Sequence, residues 1–191
     1  MTLADKLTAS RLALAPVFFA AYRWGMVLGA VPYVAILVLL FAVIEVSDLL
    51  DGMAARRAGT VSDFGKLFDP YADVFARLTY FVCFALDGIM PAWALVVVIY
   101  RELSINFIRM LLAQRGVAMG ARPGGKLKSA TYMVAGATSL IYVGLGKLGL
   151  LPGLAGSLSI AIYALYALAA FLALASFADY YLQYRKLSAR P

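Results

Sequence analysis

The sequence predicts an all-α polytopic membrane protein, with six transmembrane helices and a short N-terminal interfacial helix. Three observations predict it. Of the 191 residues, 64% are hydrophobic and only 14% charged, with a mean hydropathy of +0.87. A soluble domain of this length would need more charge to cover its surface. The apolar residues fall in runs close to the ~20 residues that cross a bilayer, joined by short polar stretches. No strand-like alternation bounded by turns appears.

The six expected spans are Thr8–Arg23, Val31–Leu50, Leu67–Leu86, Ala92–Leu112, Ser129–Leu148 and Ala155–Tyr181. Ahead of the first, "TLADKLTASR" reads as a short interfacial helix, with Leu3 and Leu7 on one side. It carries Asp5 and no obvious small-residue cleavage site, so it reads as retained. Pro32, Gly59, Gly88 with Pro91, "ARPGG" at 121–125 and "LPG" at 151–153 mark the joints. After the sixth span, "YYLQYRKLSARP" reads as an aromatic belt with a basic tail. With no repeat or low-complexity segment, residues 1–191 are expected to form one membrane domain.

Charge orients the spans. If both termini share a side, that side holds Lys6, Arg11, Arg56, Arg57, Lys66, Arg115, Arg122, Lys126, Lys128, Arg185, Lys186 and Arg190. The other side holds Arg23 and Lys147. The asymmetry puts both termini in the cytoplasm and the protein in the cell membrane. The net charge of +7 therefore reads as topology and anionic lipid, with no nucleic-acid partner expected. The single cysteine, Cys83, lies inside an apolar run and reads as packing. There is no histidine, which excludes imidazole acid–base chemistry and the usual zinc sites.

The acids are unevenly placed. Of ten Asp and Glu residues, Asp48, Asp51, Asp63, Asp69 and Asp73 fall within residues 47–73. Asp48 and Asp51 are three apart at the end of the second run; Asp69 and Asp73 are four apart at the start of the third. On helices each spacing puts both carboxylates on one face. The short connection makes the two helices antiparallel neighbours, so the four groups could converge. Carboxylates so gathered need positive charge between them. Arg56, Arg57 and Lys66 supply part of it, and a divalent cation would supply it better. All-oxygen ligands favour Mg²⁺, Mn²⁺ or Ca²⁺ over zinc. Gly52, Ala54, Ala55 and Gly65 leave room for close approach of a phosphate. A solvated acidic cap at two helix ends, with small residues serving helix packing, explains the same features one at a time. A cation transporter is the reading from another class, but it predicts carboxylates at mid-membrane on several spans.

Taken together, the positions are specific. Asp48, Asp51, Gly52, Ala55, Arg56, Gly65, Asp69 and Asp73 spell Asp-x-x-Asp-Gly-x-x-Ala-Arg, eight residues, then Gly-x-x-x-Asp-x-x-x-Asp. This resembles the signature of the CDP-alcohol phosphotransferase family at every position, and the six-span pattern extends the resemblance over nearly the whole chain. The resemblance implies transfer of a phosphatidyl or phospho-alcohol group between a CDP-linked donor and an alcohol, with release of CMP. It implies Asp48, Asp51 and Asp69 as ligands of two Mg²⁺ or Mn²⁺ ions. Asp73 becomes the base that takes the acceptor's proton, itself close to metal. Gly52, Ala55, Arg56, Ser62, Gly65 and Thr8 become contacts of the CDP part of the donor. Homodimers are common in the family, and a homodimer is expected here.

The fourth and fifth spans speak to the acceptor. "YRELSINFIRMLLAQRG" and "ARPGGKLKSATYM" resemble the phosphatidylglycerophosphate synthase branch, which pairs Arg with Glu, repeats Arg eight residues on, and carries a Gly-Lys-x-Lys-Thr segment. Here these are Arg101, Glu102, Arg109, Gly125, Lys126 and Lys128, with Ser129 in place of the Thr. The resemblance implies CDP-diacylglycerol as donor and sn-glycerol 3-phosphate as acceptor, its phosphate held by Arg101, Arg109, Lys126 and Lys128. The same donor with inositol phosphate, serine or an amino alcohol is the alternative. A pairing of Arg101 with Glu102, and lysines that only mark topology, is the structural alternative. Two further positions depart from the branch: Asp5 replaces an Asn ahead of Leu7, Thr8 and Arg11, and Val74 replaces a Lys after the last aspartate, a charge for which Arg77, one turn past Asp73, could substitute.

Overall fold

The computed structural model describes residues 3–58, 63–114 and 123–188; the side chains of residues 3–7, 48–58, 63–67, 69, 123 and 188 lie outside the description. Among the described residues the chain forms six α-helices and no strand. They are α1 (Leu3–Trp24), α2 (Ala30–Ala58), α3 (Asp63–Leu86), α4 (Ala92–Gln114), α5 (Pro123–Lys147) and α6 (Ala155–Ser188). One 3-10 turn, Gly25–Leu28, links α1 to α2. The segment expected as a separate interfacial helix is instead the start of α1, which runs unbroken from Leu3. No Gly or Pro interrupts residues 3–15 to stop it.

Each expected span has its helix, and the helices reach beyond the expected ends because polar residues continue the turns at one side. The other side is closed by tight caps. Gly88 adopts φ 72°, its N–H bonds Ala85 O at 3.1 Å, and the Ile89 N–H bonds Phe84 O at 2.8 Å. Gly149 repeats the motif at φ 74°, with Leu150 N–H on Leu145 O at 2.8 Å. Both are left-handed C-caps that satisfy the last carbonyls of α3 and α5. Nearby, the Tyr22 hydroxyl donates to Asp87 at 2.8 Å, and Arg23 lies 3.6 Å from the same carboxylate. The Tyr33 hydroxyl donates to the Tyr22 carbonyl at 3.0 Å, tying α2 to α1 there.

The helices close into a ring in the order α1, α3, α4, α6, α5, α2, and α3 also reaches α5 across the middle. The core is aromatic. Phe41 of α2, Tyr80 and Phe81 of α3, Tyr132 of α5 and Tyr166 of α6 meet edge to face, with centroids 4.9–5.6 Å apart. Small residues let the backbones close around them: Ala72 and Ala76 on α3, Ala135 on α5, Ala169 and Ala173 on α6 are buried. Gly136 on α5 is a further such position. A Cβ there would come within 3.1 Å of both Phe41 and Tyr80. Cys83 is buried and free, as a packing residue should be.

The outer surface is apolar. Leu39, Tyr100, Phe107, Ile160 and Phe171 are all more than half exposed. Among the described residues two helices are long and apolar enough to cross a membrane, at Ala30–Ser47 and Ala155–Leu187, with mean hydropathies of 2.4 and 2.2. In α3 and α4 charges break up the apolar run: Asp69, Asp73 and Arg77 in α3, and Arg101, Glu102 and Arg109 in α4.

Gly136→Ala should lower the thermal unfolding midpoint in detergent, because overpacking against two buried rings costs about 1–3 kcal/mol. Gly124→Ala, where a Cβ meets nothing within 4 Å, should leave the midpoint unchanged or raise it. A midpoint unaffected by Gly136→Ala would show that α5 does not back against Phe41 and Tyr80.

Candidate active site

Apart from Arg23, Asp87 and Lys147 near the Gly88 and Gly149 caps, the ionisable side chains among the described residues gather toward the opposite end of the bundle. Their scaffold is four helix segments: the second half of α2, the first half of α3, the second half of α4 and the start of α5. The backbone places Asp48, Asp51, Gly52, Ala55 and Arg56 on α2, and Gly65 and Asp69 on α3. The side chains of these residues, and Ser62 altogether, lie outside the described residues. Of the signature, Asp73 is the position whose side chain is described. It is 24% exposed, and its Oδ2 accepts a hydrogen bond from Arg77 Nη1 at 3.0 Å.

Arg77 is itself buried and reaches in two directions. Its Nε lies 3.6 Å from Glu45 Oε1 on α2, and both side chains are 8% exposed. The Tyr80 hydroxyl donates to the same Glu45 oxygen at 2.9 Å. α2 and α3, expected as antiparallel neighbours, are instead separated by α1 in the ring; among the described residues long side chains bridge them, a buried acid, an arginine and a tyrosine, together with the Phe41–Tyr80 ring pair.

On the other flank of Asp73 a second cluster centres on Glu102. Arg101 Nη1 lies 2.8 Å from Glu102 Oε2, and Lys128 Nζ pairs with Glu102 Oε1. Arg101 Nη2 also donates to Ser176 Oγ of α6 at 2.8 Å. Lys128 Nζ stands 4.6 Å over the Tyr132 ring. A cavity joins the two clusters: Asp73, Val74, Arg77, Leu78, Val98, Glu102, Lys128 and Tyr132 line it. The fold thus brings Asp73 and Lys128, fifty-five positions apart in sequence, to the same hollow.

The four residues expected to hold an acceptor phosphate are not equivalent. Arg101 and Lys128 share Glu102. Arg109 packs on α6, where Nη2 donates to the Tyr180 hydroxyl at 3.1 Å and the guanidinium sits 5.5 Å from the ring centroid. Arg101 also approaches that ring, at 5.7 Å from its centroid. Lys126 is exposed; two residues from Lys128 on a helix, it faces another sector. Thr8, expected near the donor, is buried with the Arg11 guanidinium 3.5 Å from its hydroxyl.

Sequence reasoning passed over Glu45, Ser176 and Tyr180. Glu45 is the lone acid in the apolar stretch before Asp48, and an isolated intramembrane acid is itself a signal. Ser176 and Tyr180 share one face of α6 by their spacing of four, but nothing local reveals that α4 is the neighbour.

The model of the CDP-alcohol phosphatidyltransferase family matches residues 1–174 of the chain. The chain belongs to the CDP-alcohol phosphatidyltransferase family. It is a transferase of that family, and the signature aspartates and the cavity beside Asp73 belong to its matched region. A protein of Treponema pallidum (strain Nichols) named CDP-diacylglycerol–glycerol-3-phosphate 3-phosphatidyltransferase is 44% identical over 150 residues, 74% of this chain and 69% of its own. A Bacillus subtilis (strain 168) protein of the same name is 32% identical over 148 residues, 73% of this chain and 77% of its own. A putative cardiolipin synthase of Mycobacterium bovis is 33% identical over 148 residues, 74% of this chain and 65% of its own.

Glu102 holds two buried cations with one carboxylate. Glu102→Gln should destabilise the fold by about 3–5 kcal/mol, the usual result of stranding a buried charge. Lys126→Gln, at an exposed position, should shift the unfolding midpoint little. Equal midpoints for the two variants would show that the Glu102 cluster does not hold α4 to α5.

Proposed function

We propose that the chain transfers the phosphatidyl group of CDP-diacylglycerol to sn-glycerol 3-phosphate, releasing CMP and forming phosphatidylglycerol phosphate. The observation that carries the reading is the shared cavity. It sets the last signature aspartate beside a cation cluster in which Arg101 and Lys128 outnumber Glu102. Surplus positive charge next to a candidate base suits an acceptor that bears its own phosphate and presents a hydroxyl. Two relatives with names of this activity cover about three quarters of the chain.

Asp73 accepts the proton of the acceptor hydroxyl, and its partial exposure keeps it within reach. Lys128 and Arg101, with Arg109 farther along α4, hold the acceptor phosphate; Lys126 attracts it from the rim. Gly52, Ala55, Arg56, Ser62, Gly65 and Thr8 seat the CDP moiety. Asp48, Asp51, Asp69 and Asp73 hold Mg²⁺ or Mn²⁺, two ions. The donor set fits: every candidate ligand is a carboxylate oxygen, and the one described, Asp73, is partly exposed toward the end of the bundle to which α2 brings Asp48 and Asp51. Bound there, the ions would neutralise the pyrophosphate as the leaving CMP gains charge. The residues then orient the hydroxyl in line with the phosphorus, which supplies much of the rate.

The six helices span the cytoplasmic membrane as one domain, with both termini and the site on the cytoplasmic side. Lipid covers the apolar walls, and the chain works as a homodimer. This arrangement keeps the donor's acyl chains in the bilayer while its nucleotide reaches the wet end. A lipid acceptor is the second reading, favoured by the relative named a putative cardiolipin synthase.

Purified protein given CDP-diacylglycerol should release CMP with sn-glycerol 3-phosphate and not with glycerol, serine or inositol phosphate. Phosphatidylglycerol supporting release in its place would establish the second reading. Chelation should abolish turnover, and Mg²⁺ or Mn²⁺ should restore it. Asp51→Asn should lose more than the roughly ten- to hundredfold typical of residues that only support a metal ligand. Full turnover in metal-free buffer would remove the ions from the mechanism.

The topology has its own check. In a Cys83→Ala background, Val27→Cys and Lys186→Cys, both at exposed positions, should react with a membrane-impermeant thiol reagent from opposite sides. Reaction from one side would overturn the even number of spans.

A further inference from the structure

We propose that Tyr132 is a specificity-determining contact of the acceptor: its hydroxyl forms a hydrogen bond with the secondary, C2 hydroxyl of sn-glycerol 3-phosphate. The proposal rests on the phosphatidyl-transfer reading of the site. Tyr132 lies three residues beyond the Gly125–Ser129 segment, one turn past Lys128 on α5.

For packing alone a phenylalanine would serve as well; what a tyrosine adds is its hydroxyl. The Tyr132 side chain is 1% exposed, yet its hydroxyl makes no hydrogen bond among the described residues. It faces the Glu102 carboxylate without hydrogen-bond geometry, and both carboxylate oxygens already carry cations, Arg101 on Oε2 and Lys128 on Oε1. Two neighbours hold the ring. Phe81 meets it edge to face at 5.6 Å, and Lys128 Nζ stands 4.6 Å from its centroid. Other buried tyrosines have partners for their hydroxyls: Tyr22 has Asp87, Tyr33 the Tyr22 carbonyl, Tyr80 Glu45 and Tyr166 Ser139. A buried hydroxyl with no partner is costly and calls for an explanation. This one belongs to a residue that lines the cavity beside Asp73.

The cavity is graded from charged to apolar. Leu78, Val98 and Tyr132 each lie one turn farther from the carboxylate end than Val74, Glu102 and Lys128 on the same helices. This deeper layer offers two aliphatic walls and one neutral hydroxyl. It suits an uncharged carbon backbone that bears a hydroxyl, and it disfavours a phosphate, whose desolvation no cation of that layer would offset. In the proposed reaction Lys128 and Arg101 hold the acceptor phosphate, and the reacting C1 hydroxyl lies at Asp73. C2 then lies between them, and its hydroxyl is the one polar group of the acceptor still to be matched. Tyr132 is the neutral polar side chain among the described residues that line the hollow. A hydrogen bond there fixes the rotation about C1–C2 and so aims the C1 hydroxyl.

The test is CMP release in mixed micelles with CDP-diacylglycerol and two acceptors, sn-glycerol 3-phosphate and 1,3-propanediol monophosphate, which lacks only the C2 hydroxyl. Wild type should favour the first by roughly ten- to hundredfold in kcat/KM, since the second leaves the buried Tyr132 hydroxyl unpaired. Tyr132→Phe keeps the ring between Phe81 and Lys128. It should lose roughly tenfold with sn-glycerol 3-phosphate and less than about twofold with 1,3-propanediol monophosphate, so that the preference collapses. KM for CDP-diacylglycerol and the unfolding midpoint should stay near wild type. A hydroxyl that only braces Glu102 would cost the variant the same factor with both acceptors, and that result overturns the proposal. So does an undiminished preference in Tyr132→Phe, or a Tyr132→Phe that does not fold. Equal use of both acceptors by wild type overturns it without any variant. Wild type is measured first with sn-glycerol 3-phosphate. Absent turnover sinks the transfer reading and this contact with it, whereas wild-type turnover with an unimpaired Tyr132→Phe sinks this contact alone.

Discussion

Arg77 is the charge on which the candidate site turns. It is buried, it belongs to the central helix α3, and carboxylates of two helices converge on it. A cation so placed cannot be removed from water unless those acids accompany it, and the acids cannot stay ionised there without the cation. The packing around it follows. Tyr80 must point at Glu45, so its ring lies under Phe41, and α5 can approach that ring only because residue 136 has no side chain. The aromatic core and the polar end are thus one structure. The rings fix the depth of the charged groups, and the charged groups fix the rotamers of the rings.

Much of this was legible in sequence. The helical runs gave the elements, since the apolar period and the breakers at Gly88 and 151–153 both survive in the fold. The signature gave the family through spacing alone. What stayed hidden depends on neighbours that are not consecutive. The ring order sets α1 against α3 and α4 against α6, so Arg101 meets Ser176 and Arg109 meets Tyr180 across large gaps in sequence. Charge patterning grouped Arg101, Arg109, Lys126 and Lys128, but helix geometry separates Lys126 from Lys128 by facing them to different sectors. The pairing of Arg101 with Glu102, left open from sequence as the structural alternative, is present, and Lys128 shares the same carboxylate beside the cavity. The interfacial helix was misjudged for a simple reason. Nothing between Leu3 and Leu14 breaks a helix, so α1 continues through it.

The molecule divides its chemistry by end. Around Gly88 and Gly149 the backbone turns in the fewest residues available and caps its own carbonyls. Around Asp73 the helices run long, the polar side chains face inward, and arginine and lysine find acids, a serine and tyrosine rings as partners. A lipid-linked nucleotide has the same division, with an apolar anchor and a charged head. The apolar flanks of α2 and α6 and the polar hollow between α3, α4 and α5 offer each part its own solvent.

The bond between Arg101 and Ser176 spans 75 residues of sequence. During synthesis α4 is complete well before that serine has been added to the chain. In the proposed membrane arrangement, the emerging helix carries Arg101 with Glu102 beside it, while other partners of the pair are still missing: Lys128 arrives with α5, then Ser176 and Tyr180 with α6. Until then α4 carries its arginine on Glu102, and the last helix to arrive is the one that completes the polar cluster.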